Sequence, residues 1–491
     1  MHRRTGKSDL TSNGDYEPVI GLEVHAQLST RSKLFCSCAV EFGAAPNSLT
    51  CPVCLGLPGA LPVLNRKAVD YAIKTILALG GKVSSRSVFA RKNYFYPDLP
   101  KGYQISQYEL PIGIGGEVKF ATSGGEEKSF RLTRIHLEED AGKSLHPEGG
   151  EKFTRVDFNR CGVPLLEIVT EAMVATPEDA HSYLLKLKQI LQYLDVCTGD
   201  MEKGHLRCDA NVSVCKAGSD TLGTRTEIKN MNSFRAVERA LRFEIERQIG
   251  LLKSGGTVEQ ETRLWNEKSQ TAEPMRSKEE SEDYRYFPEP DLPELVVPEE
   301  KVNRIRETLP EVPDVRAARL AERYGLREYD ARVLTAEREM ADYFEEVMHY
   351  SKNARAASNW IQTELLASLK ESGTTIAECP VKPKDLADLL ERIESGEISW
   401  KIAKEVFAEM TSTGAAPETI IRHRDLGLIS DAESLNPIIE RVLSEHEANV
   451  QEYRAGKIRL LAFFVGEVMR ATRGQAEAKT LTELLKKKLE G

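Results

Sequence analysis

Across 491 residues no apolar run approaches the ~18 residues that a membrane-spanning helix needs, so no bilayer span is expected. Positive charge is not in excess either. Lys and Arg number 67 against 76 Asp and Glu, a formal net charge of −9, which argues against a protein that coats nucleic acid non-specifically. That balance leaves room for local basic patches and for acidic clusters that hold metal ions. The opening stretch MHRRTGKSDLTSNGD has no apolar core and is not a secretory signal. Its early basic residues would suit a transit peptide, but Asp9 arrives soon and no amphipathic helix follows. Residues 1–15 are therefore expected to form a short disordered leader, and the chain to be cytoplasmic. Nine cysteines, an odd number without a signal segment, do not make a disulfide framework. Two familiar nucleotide loops are also missing. AGKS at 141–144 copies the end of a P-loop, but Leu137 stands where its first glycine belongs. GIGGEV at 113–118 lacks the third glycine of a dinucleotide fingerprint. ATP, if bound, is held some other way.

What is present divides the chain. Its length suggests roughly three domains at about 150 residues each. Residues 16–305 alternate strand patterns such as RLTRIHLEE, PLLEIVTEA, HLRCDANVSV and GTRTEIKN with three helix patterns. NRKAVDYAIKTILALGG stops at a glycine pair, and TPEDAHSYLLKLKQILQYL opens on Thr176 as N-cap with Pro177 behind it. SFRAVERALRFEIERQIGLLKSGG follows the last strand. After EPDLPELVVPEE the chain turns helical, with one segment expected over 306–412 and a helical tail over 413–491. The fold class is α+β, a catalytic sheet domain followed by all-α parts.

The strand patterns carry the chemistry. In YEPVIGLEVHAQLST, residues 16–30, Ile20, Leu22, Val24, Ala26 and Leu28 share one face, while Glu23 and His25 share the other with Gly21 and Gln27. LRCDANVSV puts Arg207, Asp209 and Asn211 on its polar side, TEIK puts Glu227 and Lys229, and PLLEIVTE contributes Glu167. RIHLEED ends in Glu138, Glu139 and Asp140. A wet face is ordinary for one antiparallel strand. Several such faces side by side would repel one another unless cations bound there, and oxygen ligands with phosphates nearby suit Mg²⁺. Arg207 and Lys229 are candidates for neutralising phosphate.

Cys36 and Cys38, then Cys51 and Cys54, form C-x-C and C-x₂-C hooks set among turn residues. They could close around one tetrahedral, structural Zn²⁺, or be four reduced core cysteines. RKNYFYPDLPKGYQISQ interleaves Arg91, Lys92 and Lys101 with Tyr94, Phe95, Tyr96 and Tyr103, which suits either stacking on bases or packing on the sheet. Residues 441–491, with Lys457, Arg459, Arg470, Arg473 and Lys486–Lys488, hold ten Lys and Arg against seven Asp and Glu. That local net of +3 permits an RNA backbone contact, though a solvated helix face explains it as well.

VIGLEVHAQL, RKNYFYPDLPKGYQISQ, HLEEDAGKS, VDFNRCGVPLLEIVTE, LRCDANVSV, TEIKNMNSF and DYRYFPEPDLP together closely resemble the B subunits of the aspartyl/glutamyl-tRNA amidotransferases, from about residue 16 to the C-terminus. GKIRLLAFFVGEVMRATRGQA resembles the YqeY-type tail of that family. The resemblance implies a catalytic domain similar to the glutamine synthetase and guanido kinase fold, cradling ATP and Mg²⁺. It implies ATP-dependent phosphorylation of the side-chain carboxylate of Glu-tRNA(Gln) or Asp-tRNA(Asn). Ammonia channelled from an amidase (glutaminase) subunit then displaces phosphate, and a small third subunit clamps the other two. It places Glu23, His25, Glu139 and Glu167 at the metal, and we extend the site to Glu138, Asp209 and Glu227, with Arg207, Asn211 and Lys229 toward the nucleotide. The chain keeps the four cysteines that some members lack. It also lacks the large inserted domain of the archaeal glutamate-only relatives, which favours the bacterial type. A non-catalytic RNA scaffold would gain nothing from acids facing a polyanion, and a ligase for a free amino acid would leave the helical tail unexplained.

Overall fold

The computed structural model describes residues 15–122, 124–145, 153–275, 284–427, 429, 431–472 and 474–490, so residues 1–14 of the expected leader lie outside the described residues. The chain forms two compact units, Met1–Val312 and Pro313–Gly491. Among the described residues no helix is long and apolar enough to cross a membrane.

The first unit is built on an 11-stranded sheet. Its main strands are β1 (Tyr16–Gln27), β2 (Glu127–Glu139), β3 (Pro164–Thr170), β4 (Leu206–Lys216), β5 (Thr226–Lys229), β6 (Glu261–Asn266) and β7 (Thr271–Pro274). They lie in the order β7-β6-β5-β4-β1-β3-β2, with the short strands Gly113–Ile114 and Lys82–Val83 beyond β2. β1 is central and runs antiparallel to both neighbours. Its alternation is the physical reason for its place. Ile20, Leu22, Val24 and Ala26 are all at most 1% exposed, each large aliphatic side chain contributing about 1.5–3 kcal/mol by leaving water.

Three helices cover that apolar face and share one core with it: α1 (Arg66–Ala78), α2 (Pro177–Tyr193) and α3 (Phe234–Lys253). The Thr176 hydroxyl accepts from the Asp179 amide while the Asp179 carboxylate accepts from the Thr176 amide, a capping box that fixes where α2 begins. Ser233 caps α3 in the simpler way, accepting from the Ala236 amide. β5 and β6 are the parallel pair of the main strands, and α3 supplies the long crossover that parallel neighbours require. With helices on one side, the other side of β1 to β5 keeps its polar residues.

The second unit is helical and holds two apolar cores. One gathers residues from Ala317 to Ile421, the other from Leu435 to Leu489. Ile420 and Ile421, on the helix Pro417–Arg424, belong to the first of these, so the change of core falls after that helix and not at residue 412. Within this unit, ASNWIQTELLASLKESG is interrupted by a π-helical turn at Ile361–Leu365 between Ala354–Trp360 and Leu366–Ser372. The architecture is thus a large mixed sheet with helices, followed by a helical C-terminal region.

Candidate functional site

Register sorts the polar face into cross-strand rows. His136 on β2 pairs with Glu167 on β3, Glu167 with His25 on β1, and His25 with Arg207 on β4. The next row runs Arg134, Val169, Glu23, Asp209, and the one after it Gly21, Asn211, Glu227, Thr262. On the other side of the His25 row stand Gln27, Leu165 and Glu138. Residues remote in sequence become neighbours because the strands are one pairing step, about 4.8 Å, apart.

The tightest cluster holds two carboxylates and two imidazoles. His25 Nε2 is 3.4 Å from Glu167 and 3.7 Å from Glu138, and His136 Nε2 is 3.2 Å from Glu167 and 3.7 Å from Glu138. Glu138, Glu167 and His136 are buried. Burial works against charge on the imidazoles, but Glu167 and Glu138 outweigh it and push His25 and His136 up to about 9. Burial likewise works to raise Glu167, yet the two histidines hold it well below the usual carboxylate range. Ser106 donates to Glu138 at 3.1 Å. Donor atoms of His25, Glu138 and Glu167 all lie within 4.8 Å of one another. Two buried carboxylates with a half-buried imidazole beside them, their donor atoms converging, fit a divalent cation.

Around this cluster the other anticipated residues take distinct positions. Glu23 accepts from Asn211 Nδ2 at 2.8 Å, and burial, then Glu167, raises its carboxyl. Asp209 and Glu227 flank Lys229 at 3.5 and 3.2 Å. Arg207 is 3.0 Å from Asp140, which also accepts from Gln27 at 2.8 Å. Both cations anticipated for phosphate therefore already face carboxylates. Glu139 is not brought to the cluster. It follows Glu138 in a regular strand, so its side chain turns to the opposite face. There it accepts from the Ile105 amide at 2.9 Å and pairs with the half-buried Lys101.

The four cysteines converge as well. All four sulfurs lie within 4.8 Å of one another, and Cys51 Sγ to Cys54 Sγ is 3.8 Å. A tetrahedron with metal–sulfur bonds of about 2.3 Å has edges of about 3.8 Å, so the hooks fit a structural metal. A hydrogen bond with Cys36 lowers the Cys54 thiol to about 4, and the buried Lys33 ammonium 3.6 Å away acts in the same direction. Gly162, at φ +80°, passes beside this site where an added Cβ would stand 3.5 Å from both Cys54 and Lys33.

Family models match most of the chain: a GatB/GatE catalytic domain over residues 18–303 and a GatB domain of the Yqey type over 342–489. The chain belongs to the GatB/GatE family. Proteins named as B subunits of aspartyl/glutamyl-tRNA(Asn/Gln) amidotransferases resemble it along nearly their whole length. That of Syntrophotalea carbinolica is 54% identical, covering 97% of this chain and 99% of the relative. That of Carboxydothermus hydrogenoformans is 52% identical over 97% and 99%, and that of Geobacter sulfurreducens 52% over 97% and 100%.

In this GatB/GatE-family chain the aromatic loop lies on short strands, Ala90–Asn93, Tyr103–Ser106 and Phe287–Pro288, that form a small sheet. Arg91 clamps Glu289 with two bonds, of 2.7 and 2.8 Å, and Lys92 stands over Tyr284 at 4.5 Å. Phe95 is 78% exposed, whereas Leu99 and Ile105 of the same stretch are buried. In the tail, Lys457, Arg470 and Lys488 pair with Glu452, Glu467 and Glu440, while Arg473 lies outside the described residues. Sequence reasoning passed over His136 and Arg134. The alternation of RIHLEE would have found both, since Arg134, His136 and Glu138 share one side of the strand.

Proposed function

We propose that this chain carries the amide-forming half-reactions of a tRNA-dependent amidotransferase on the polar face of its sheet. The substrate is the side-chain carboxylate of Glu-tRNA(Gln) or Asp-tRNA(Asn), phosphorylated with ATP and then attacked by ammonia. The observation that carries the reading is the His25–Glu138–Glu167–His136 cluster, a seat of converging carboxylates and imidazoles on the sheet of a GatB/GatE-family chain. His25, Glu138 and Glu167 would hold a Mg²⁺ ion, and His136 and Ser106 would orient the two carboxylates. Bound there, the ion supplies screening between an anionic phosphoryl group and an anionic carboxylate, a repulsion that otherwise opposes their approach.

The remaining roles belong to the chain itself. A carboxylate is a poor electrophile, and as an acyl phosphate it acquires a good leaving group. Tyr94 and Tyr286, within electrostatic reach of Glu138, would keep water from hydrolysing that species. The four-cysteine hook would bind structural Zn²⁺. An amidase (glutaminase) subunit supplying ammonia and a small third subunit complete the proposed complex, whose sheet domain would share the glutamine synthetase and guanido kinase architecture. Glu167→Gln, tested in the complex with each mischarged tRNA separately, should lose ATP-dependent amidation by about 100-fold or more while glutaminase activity persists. Normal amidation by that variant would refute the assignment.

A further inference from the structure

Arg134 occupies the polar face one row from the His136–Glu167–His25 row, on the strand that also carries His136 and Glu138. The other cations of this floor are neutralised from within, Arg207 by Asp140 and Lys229 by Asp209 and Glu227. Among the described residues the Arg134 guanidinium has no hydrogen bond or ion pair, and its Nε is buried without a partner. A fork of donors left open beside an acidic cluster is costly in the empty protein unless an incoming anion completes it.

Its neighbours indicate which anion. The guanidinium carbon stands 5.9 Å from the centre of the Tyr108 ring, and Tyr108 stacks on Tyr286 at 4.2 Å with 7° between the planes. Tyr108 is 46% exposed, unusual for a ring that merely fills a core. Burial and then the charges of Glu138 and Glu167 raise the Tyr286 hydroxyl, so the stack lies within electrostatic reach of the cluster. Aromatic surface beside an unneutralised guanidinium is complementary to a base joined to a phosphate.

We propose that Arg134, with the Tyr108–Tyr286 stack, forms a subsite for an adenosine nucleotide, the guanidinium taking a phosphate oxygen and the tyrosines supporting the purine. This rests on the proposed function above and assigns to it residues that the motif reading left out. The same chemistry comes from two sources, ATP and the 3′-terminal adenosine nucleotide of the tRNA.

The test uses the complex with its amidase and small subunits. Arg134→Met, Arg134→Lys and Tyr108→Leu are assayed with ATP varied at saturating mischarged tRNA, then with the tRNA varied at saturating ATP. Arg134→Met should raise one KM by about tenfold or more, with Tyr108→Leu raising the same KM and Arg134→Lys recovering part of the loss. A rise confined to ATP assigns the subsite to the free nucleotide, and a rise confined to tRNA assigns it to the acceptor end. Both KM values unchanged in Arg134→Met and Tyr108→Leu, or a loss in kcat alone, overturns the proposal. Should the wild-type complex amidate nothing, the proposed function itself fails. The subsite is then read by equilibrium dialysis of ATP and filter binding of tRNA, where equal affinity of wild type and Tyr108→Leu for both overturns it and a tenfold loss for either supports it.

Discussion

Glu138 and Glu139 are adjacent in sequence and opposite in surroundings. Glu138 faces His25 and His136, whereas Glu139 is locked to Lys101 and the Ile105 amide on the other side of the sheet. Glu138→Gln should therefore abolish amidation by the assembled complex while glutaminase activity persists. Glu139→Gln should destabilise the sheet unit by about 2 kcal/mol, because the half-buried Lys101 loses its counter-charge. Amidation assays of Glu138→Gln and a denaturant titration of Glu139→Gln check this, and a Glu139→Gln chain as stable as wild type would contradict the two-faced strand. The sequence reading grouped both glutamates because composition alone does not orient them. Only the strand period, applied residue by residue, separates them, and the same period brings His136 into view. What the period could not supply is partnership. That Arg207 meets Asp140, and Lys229 meets Asp209 and Glu227, depends on which strands lie together.

At the level of elements, local signals were strong where they were chemical. Asn65, Thr176 and Ser233 cap α1, α2 and α3, and Gly80 at φ +69° follows the end of α1. The π-helical turn at Ile361–Leu365 had no such signal, since residues that build it are ordinary helix formers. The four-cysteine hooks make a prediction of their own. Elemental analysis should find one zinc per chain, lost in Cys54→Ser together with local protection of residues 33–60 from hydrogen exchange. A wild-type chain without zinc would refute the metal. In the helical unit, Arg316 and Arg319 bind Glu345 at 2.6 and 2.7 Å, tying Pro313–Tyr324 to Arg338–Tyr350. Burial works to raise Glu345, but hydrogen bonds from Arg319 and Arg316 hold it below its ordinary value. The folded state thus binds that proton less readily than the unfolded one. The stabilisation is present above about pH 4.3 and is lost as pH falls through the lower folded value. Glu345→Gln should cost about 1 kcal/mol at neutral pH, with solvent screening allowed for, and the difference from wild type should shrink toward zero in acid.

For the whole molecule, the division into a sheet unit and a helical unit follows the point where strand periods give way to helical ones near residue 300. The finer division was less legible. Helix after helix in the second unit carries the same 3.6-residue pattern, and nothing in that pattern says which helices share a core. The change of core between Ile421 and Leu435 needed coordinates. Deleting residues 431–491 removes the last core without cutting the one before it. Under the proposed function this deletion should weaken mischarged-tRNA binding more than ATP hydrolysis, and an unchanged tRNA affinity would count against a role for the tail.

The account depends on a divalent cation seated on the polar face of the sheet. Crystals of the complex soaked in Mn²⁺, with diffraction measured at the manganese edge, address this most directly. The account predicts an anomalous peak bounded by His25, Glu138 and Glu167. A peak beside Glu139 and Lys101 instead, or none on that face, would contradict it.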